Sequence, residues 1–167
     1  ANSNTVTYDS QSGSAVDAGS FVTAGTIASA PVSTRAGYTL LGWSRDIGGT
    51  VVSFESPGYS PTDTSGFTLY AIWSANPLTV TYESNGGSVV SQTTTTTATT
   101  VSSEPTEPTR AGYTFRGWFD NVDLSGTEIE FPYTHGQTDD FTVYAKWTAN
   151  TLDVTFETNG GSPVTGS

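Results

Sequence analysis

Apolar and polar residues alternate along short stretches of this chain, and Gly or Pro interrupts the alternation at close intervals. In residues 79–83, Val80 and Tyr82 alternate with hydroxyl and carboxylate side chains, which is the pattern of a strand with one buried face. Residues 141–147 alternate in the same way. No stretch has the i, i+3, i+4 apolar spacing of an amphipathic helix. The pattern therefore predicts short β-strands, with at most a helical turn near residues 120–124.

The same pattern occurs three times at a fixed distance. Residues 5–9, 79–83 and 153–157 have matching sequences, and 79 − 5 = 153 − 79 = 74. A period of this length indicates a tandem array of small domains. We expect one module at 1–76, a second at 77–150, and the first strand of a truncated third repeat at 151–167. We expect this tail to pair with a sheet edge in the same or another molecule.

Aromatic and β-branched residues recur at equivalent places in the two complete repeats and predict the core. The chain has no Cys, so each small module must be stabilised by packing alone. Gly117 lies where a β-bulge would return Trp118 to the core side. The predicted core residues of the first repeat are Val6, Tyr8, Tyr38, Leu40, Trp43, Phe67, Leu69 and Trp73.

Charge and composition exclude several classes of function. The chain has five basic and 16 acidic residues, a net charge of −11, and no basic patch for nucleic acid. The same charge disfavours an anionic membrane surface, and no apolar run is long enough to insert into a bilayer. A Thr-, Ser-, Gly- and Asn-rich chain without Cys or Met is typical of a bacterial secreted or wall-attached protein.

Three motifs, in a fixed order, carry a family resemblance. A strand ends in Asn-Gly-Gly at 85–87; Pro-Thr-Arg-Ala-Gly-Tyr-Thr-Phe-x-Gly-Trp follows at 108–118; Phe-Thr-Val-Tyr-Ala-Lys-Trp closes the repeat at 141–147. This order resembles the Listeria–Bacteroides repeat, or internalin B-repeat, of bacterial surface proteins, over about 5–76 and 79–150. The first repeat departs from it at residues 11–13, at 40–41 and at Ile72.

The resemblance implies a fold, a location and a role. The fold would be all-β to α+β, two tandem β-grasp-like (ubiquitin- or SUMO-like) modules with little helix, arranged end to end. The location would be the bacterial cell surface, wall-attached or secreted. The role would be that of a stalk in a virulence-associated adhesin, spacing a distal binding head from the cell wall. The family has no catalytic residues to transfer, and the chain is not expected to be an enzyme.

Candidate chemistry is sparse. His135 is the only histidine and has no Cys partner, so we interpret it as a loop residue. The carboxylate pairs Glu128/Glu130 and Asp139/Asp140 have no counterparts in the first repeat and are interpreted as solvated surface. We therefore predict no catalytic, cofactor or metal site.

Four residues are candidates for a contact surface: Tyr70, Tyr144, Arg35 and Arg110. The tyrosines lie on the wetter face of their predicted strands, and the arginines are kept in both repeats. The favoured interpretation of each arginine is a stem packed on an aromatic ring with its head bonded to nearby carbonyls or carboxylates, and that of each tyrosine is packing under a loop. The partners of a monomeric chain would be neighbouring repeats and, in an alternative function, a host protein or glycan held by an edge strand or exposed aromatics.

Overall fold

A computed structural model describes residues 2–157 and 159–161. The described chain consists of β-strands, turns and irregular segments, with no helix, so the all-β prediction is confirmed. The residues predicted as a helical turn near 120–124 form a hydrogen-bonded turn instead, in which the amide of Leu124 donates to the carbonyl of Asn121 at 3.2 Å. The strands are β1 Ser3–Asp9, β2 Gly19–Val22, β3 Tyr38–Ser44, β4 Phe67–Ala75, β5 Pro77–Glu83, β6 Thr93–Thr96, β7 Thr100–Val101, β8 Tyr113–Phe119, β9 Tyr133–Thr134 and β10 Phe141–Ala149.

The two repeats have the same sheet topology. In the first repeat the strand order is β2-β1-β4-β3, with β1 and β4 parallel and both outer pairs antiparallel. In the second repeat the order is β6-β5-β10-β8, which is the same arrangement of equivalent strands. A further small sheet pairs β7 with β9. Its equivalent in the first repeat is the single bridge between Ile27 and Tyr59.

A bulge interrupts the pairing of β3 with β4 and of β8 with β10. Gly42 and Gly117 occupy the two bulges, with φ of 145° and 91°. The following tryptophans, Trp43 and Trp118, are completely buried. The bulge predicted at Gly117 is therefore confirmed, and its effect is to turn the indole into the core despite its position in the alternation.

The core of the first repeat includes most of the predicted residues. Val6, Trp43 and Leu69 are fully buried, and Phe21, Ile27 and Ala71 complete the buried cluster. Tyr8, Leu40, Phe67 and Trp73 pack against it and are partly buried. Tyr38 is a correction: it lies outside the cluster, because the guanidinium of Arg35 stacks over its ring at 3.9 Å.

The last tryptophan of each repeat holds the turn that follows the first strand. Nε1 of Trp73 donates to the carbonyl of Ser10 at 2.9 Å, and Nε1 of Trp147 donates to that of Ser84 at 2.8 Å. A Cβ atom on Gly87 would lie 2.6 Å from the ring of Trp147, so the turn requires glycine at this place. The bond explains why the repeat closes with Trp.

The tail has the side-chain pattern of a first strand but forms no strand in residues 151–157. Leu152, Val154 and Phe156 are exposed, whereas their equivalents 74 residues earlier, Leu78, Val80 and Tyr82, are buried. The predicted pairing within the chain is therefore not found in this segment. Residues 158 and 162–167 lie outside the described part, and pairing with another molecule stays a prediction.

The described chain separates into two compact units whose boundary does not follow the sequence repeat. The first unit takes the chain up to Thr81, Gln92–Glu104 and Phe131–Phe141; the second takes Tyr82–Ser91, Pro105–Glu130 and the chain from Thr142. The first unit thus combines the whole first repeat with segments of the second. The division into 1–76, 77–150 and 151–167 stays a prediction.

Candidate functional site

The best-preserved block of the repeat folds into a tight turn held by its arginine. In the first repeat the amide of Tyr38 donates to the carbonyl of Arg35 at 3.0 Å, and Gly37 has φ of +74°. The guanidinium of Arg35 covers the Tyr38 ring and donates to the carbonyl of Gln11 at 3.3 Å. The cation is thus engaged both by a ring and by a carbonyl, which fixes the turn against the end of the first strand.

The second repeat builds the same turn with almost the same dimensions. The amide of Tyr113 donates to the carbonyl of Arg110 at 3.1 Å, and Gly112 has φ of +77°. The guanidinium of Arg110 lies 3.8 Å from the centre of the Tyr113 ring and donates to the carbonyl of Asn85 at 3.1 Å. Both candidate arginines therefore position a turn, and a role for them in binding a partner stays a prediction.

An asparagine at the end of each repeat is bonded to the glycine of this turn. The amide of Asn76 donates to the carbonyl of Gly37 at 2.9 Å, and its Oδ1 accepts from the hydroxyl of Thr39 at 2.7 Å. Asn150 makes the same two bonds in the second repeat, at 2.9 and 2.6 Å. We call the resulting surface the glycine face. It consists of Gly37, Tyr38 and Asn76 in the first repeat and of Gly112, Tyr113 and Asn150 in the second.

Within the first compact unit, the turn around Thr97 covers the first glycine face. The hydroxyl of Thr97 donates to the carbonyl of Gly37 at 2.6 Å, and its amide donates to the carbonyl of Asn76 at 3.0 Å. The side chain of Thr97 is 1% exposed. A Cβ atom at position 37 would lie 2.5 Å from Cγ2 of Thr97 and 3.0 Å from Cβ of Thr138. Glycine is thus required at position 37 both for its φ and for space.

His135 supports the turn that carries Thr97. The amide of Gln137 donates to Nδ1 of His135 at 3.3 Å, so the neutral ring carries its proton on Nε2, which lies 3.2 Å from the hydroxyl of Thr95. The ring packs against that of Phe141 at a tilt of 43°, with centroids 4.8 Å apart. Burial lowers the pKa of His135 below its usual 6.5. The residue lies in a loop, as expected, but it is buried and hydrogen-bonded.

In the second repeat the glycine face is open. In the part of the chain that the structure describes, no atom lies within 4 Å of the place that a Cβ of Gly112 would occupy. Tyr113 is 38% exposed. A cleft of about 440 Å³ lies beside this face. It is lined by Thr114, Arg116, Thr148, Ala149, Asn150 and Thr151. The two copies therefore present the same groups, one set covered and the other accessible.

The two candidate tyrosines lie on the strands β4 and β10 rather than in these turns. Tyr70 and Tyr144 are half-buried, and Tyr144 is paired in register with Phe119. Their role as a contact surface stays a prediction. Among the residues that the structure describes, no group of three or more His, Cys, Asp or Glu side chains is placed to hold a metal ion.

Residues 5–72 and 79–146 each match the Listeria-Bacteroides repeat domain. The chain belongs to this family. A Gly-rich membrane protein of Evansella cellulosilytica is 36% identical over 98% of the chain and 18% of its own length. A second membrane protein of that organism is 41% identical over 58% of the chain and 14% of its length. Internalin H of Listeria monocytogenes is 33% identical over 70% of the chain and 20% of its length.

The chain spans a fifth or less of the length of each of these curated relatives. Two of these relatives are named as membrane proteins and the third as an internalin, which fits the coarse expectation of a surface-associated protein. In the described residues, no helix is long and apolar enough to cross a bilayer.

Sequence reasoning missed the residues that meet at the covered face. Thr97 is hidden in a run of threonines, and Asn76 lies at the boundary between the two predicted modules. One signal was available: Ala-Asn recurs at 75–76 and 149–150, one period apart. Because linkers normally drift, an asparagine kept at this spacing indicates a bonded residue.

Proposed function

We propose that this chain is a structural repeat of an extracellular bacterial surface protein, in which the modules space a distal binding head from the cell wall. The observation that carries the proposal is the pair of hydrogen bonds from Thr97 to Gly37 and Asn76, which join residues of consecutive repeats within one compact unit. The family and the name Internalin H support the surface location.

The connection between the repeats suits a spacer. β4 ends at Ala75 and β5 begins at Pro77, so Asn76 is the whole connection. Asn76 is itself bonded through its amide, its side chain and its carbonyl. A connection of this kind has little conformational freedom compared with a Gly- and Ser-rich linker. Such restriction is what a spacer needs, because free linkers would let an array collapse.

The sheet order also supports the finer fold assignment. A β-grasp sheet has its first and last strands parallel in the centre and antiparallel strands outside them. The first repeat has this order, with β1 parallel to β4. We therefore propose a β-grasp-like module in which a turn and irregular segments replace the helix.

Small-angle scattering on chains of increasing length tests the spacer function. Copies of residues 77–150 are added after Asn150, and the maximum dimension is measured for each chain. A spacer predicts a fixed increment with every added repeat. A dimension that stops growing, or that grows as a flexible chain would, contradicts the proposal.

The alternative is a module that binds a host protein or glycan. One observation favours it: β6, Thr93–Thr96, is an edge strand of its sheet and consists only of threonine. An extended partner segment could add to such an edge. Multimerised chain applied to glycan arrays and host-cell extracts tests this function, and a Thr94→Pro variant is the control. Specific capture that the proline abolishes supports binding through the edge, and capture that it leaves unchanged excludes this edge.

A further inference from the structure

We propose that the open glycine face of the second repeat, Gly112, Tyr113 and Asn150, is a docking surface for a further repeat of the same family. The docked group would be the turn between its second and third strands, with a threonine in the place of Thr97. This inference rests on the proposed function, because it requires an array. It assigns to the array a specific joint, repeated at every boundary between modules. In this joint, the turn that carries the threonine of one repeat docks on the glycine face of the preceding repeat.

The open face already has the acceptor groups that bind Thr97 in the covered one. The carbonyl of Gly37 accepts two bonds, from the amide of Asn76 and from the hydroxyl of Thr97. The carbonyl of Gly112 accepts the equivalent bond from Asn150 at 2.9 Å, and a carbonyl oxygen has two lone pairs. A threonine hydroxyl can therefore bind Gly112 without displacing any bond within the repeat.

The open face is also pre-formed. Gly112 and Gly37 have φ of +77° and +74°, and the two asparagine amides bond their glycines at the same distance, 2.9 Å. No atom of the described residues fills, beside Gly112, the space that the methyl of Thr97 fills beside Gly37. Docking therefore needs no rearrangement of the backbone, and a rigid, pre-organised surface has a low entropic cost of binding.

The matching half of the joint is present in the first repeat. Thr23 lies 74 residues before Thr97, and its amide donates to the carbonyl of Asn2 at 3.3 Å, as that of Thr97 does to Asn76. Ala24 and Ala98 follow these threonines with positive φ, 62° and 52°. Thr23 is exposed, whereas Thr97 is buried. Each copy thus carries both a glycine face and a threonine turn.

The residues after Asn150 indicate which copy docks. Leu152, Val154 and Phe156 repeat the apolar positions of β5 and are exposed in this structure. In the covered joint, Asn76 directly precedes β5, and β6, which pairs with β5, leads into Thr97. A repeat that begins at residue 151 would therefore bring its own threonine turn to Gly112 in the same way. The occupant is the next repeat of the same chain.

The test compares Gly112→Ala in two chains. One is the present chain, and the other carries a copy of residues 77–150 directly after Asn150, in place of residues 151–167. In the present chain the new methyl group meets no atom of the described residues, so we expect only the backbone strain of a positive φ to lower the urea midpoint. In the extended chain the methyl group also meets the appended threonine, and the midpoint should fall by as much as it does for Gly37→Ala.

An equal midpoint shift in the two chains overturns the docking proposal. If the extended chain still lengthens by the fixed increment in scattering, the spacer function stands without this joint. If the Gly112→Ala variant fails to fold, a second measurement still tests the docking proposal. In the unmutated extended chain, the amide of the appended threonine should exchange with solvent as slowly as that of Thr97. Exchange as fast as that of Thr23 overturns the proposal.

Discussion

Replacing Gly37 and Gly112 by alanine, one at a time, separates the energy of the covered joint from that of the backbone. Both glycines have nearly the same positive φ, so both substitutions carry the same strain, about 1–2 kcal/mol. Of the two substitutions, the one at position 37 meets a neighbour among the described residues: the added Cβ would lie 2.5 Å from Cγ2 and 2.7 Å from Oγ1 of Thr97.

The extra cost of Gly37→Ala has two parts. Relieving the overlap costs about 1–3 kcal/mol, as other over-packed sites do. Moving Thr97 away also breaks the 2.6 Å bond to the carbonyl of Gly37, which contributes about 1 kcal/mol. We expect Gly37→Ala to destabilise the chain by about 2–4 kcal/mol more than Gly112→Ala.

Urea unfolding followed by tryptophan fluorescence and circular dichroism measures both changes. Thr97→Ala removes Cγ2 and Oγ1, and it is the control for the overlap. Added to Gly37→Ala, it should restore part of the lost stability, so that the two changes are not additive. Equal losses for Gly37→Ala and Gly112→Ala, or additive effects of the pair at positions 37 and 97, would show that Thr97 does not press on this glycine.

Three further predictions concern single residues. Ser12→Gly should stabilise the chain by about 1 kcal/mol and the reciprocal Gly86→Ser should destabilise it by as much, because both positions have positive φ; thermal unfolding of both variants checks the sign. Trp147→Phe should cost about 1–3 kcal/mol in urea unfolding, since it leaves the carbonyl of Ser84 without the indole donor. The pKa of His135 is lower in the folded chain than in the unfolded chain, so the unfolded chain binds the proton first as pH falls. The stability of the folded chain should therefore decrease as pH drops below about 6.5. Urea midpoints measured from about pH 7 to pH 5 should show this loss, and His135→Gln should remove it.

The sequence predicted the strands and most of the core because their signals are local. Alternation in residues 79–83 and 141–147 places Val80, Val143 and Ala145 on buried faces, and all three are buried. The bulge at Gly117 was predicted because strict alternation along the strand would point Trp118 away from the core. These features depend on neighbours in the chain, and a single repeat contains the information.

Features that depend on distant residues could not be predicted in the same way. Tyr38 alternates in phase with the core positions of its strand, but its ring packs under the guanidinium of Arg35 at the turn. Thr97 looks like any other threonine of its run, and only its position after β6 places it on Gly37. The burial of His135 depends on Phe141 and on Thr95 across a loop. In each case, the residue type is compatible with several environments, and packing against residues distant in the sequence decides which one the side chain occupies.

Hydrogen exchange at Thr97 and Thr23 shows whether the first glycine face is a covered joint. The amides of these equivalent residues donate to equivalent asparagine carbonyls, at 3.0 and 3.3 Å, and differ in whether a glycine face covers them. We expect Thr97 to be protected about tenfold or more above Thr23 in the native chain, because a buried, bonded amide exchanges only when the joint opens. Equal protection of the two amides would show that the joint does not form, and it would remove the observation on which the proposed spacer depends.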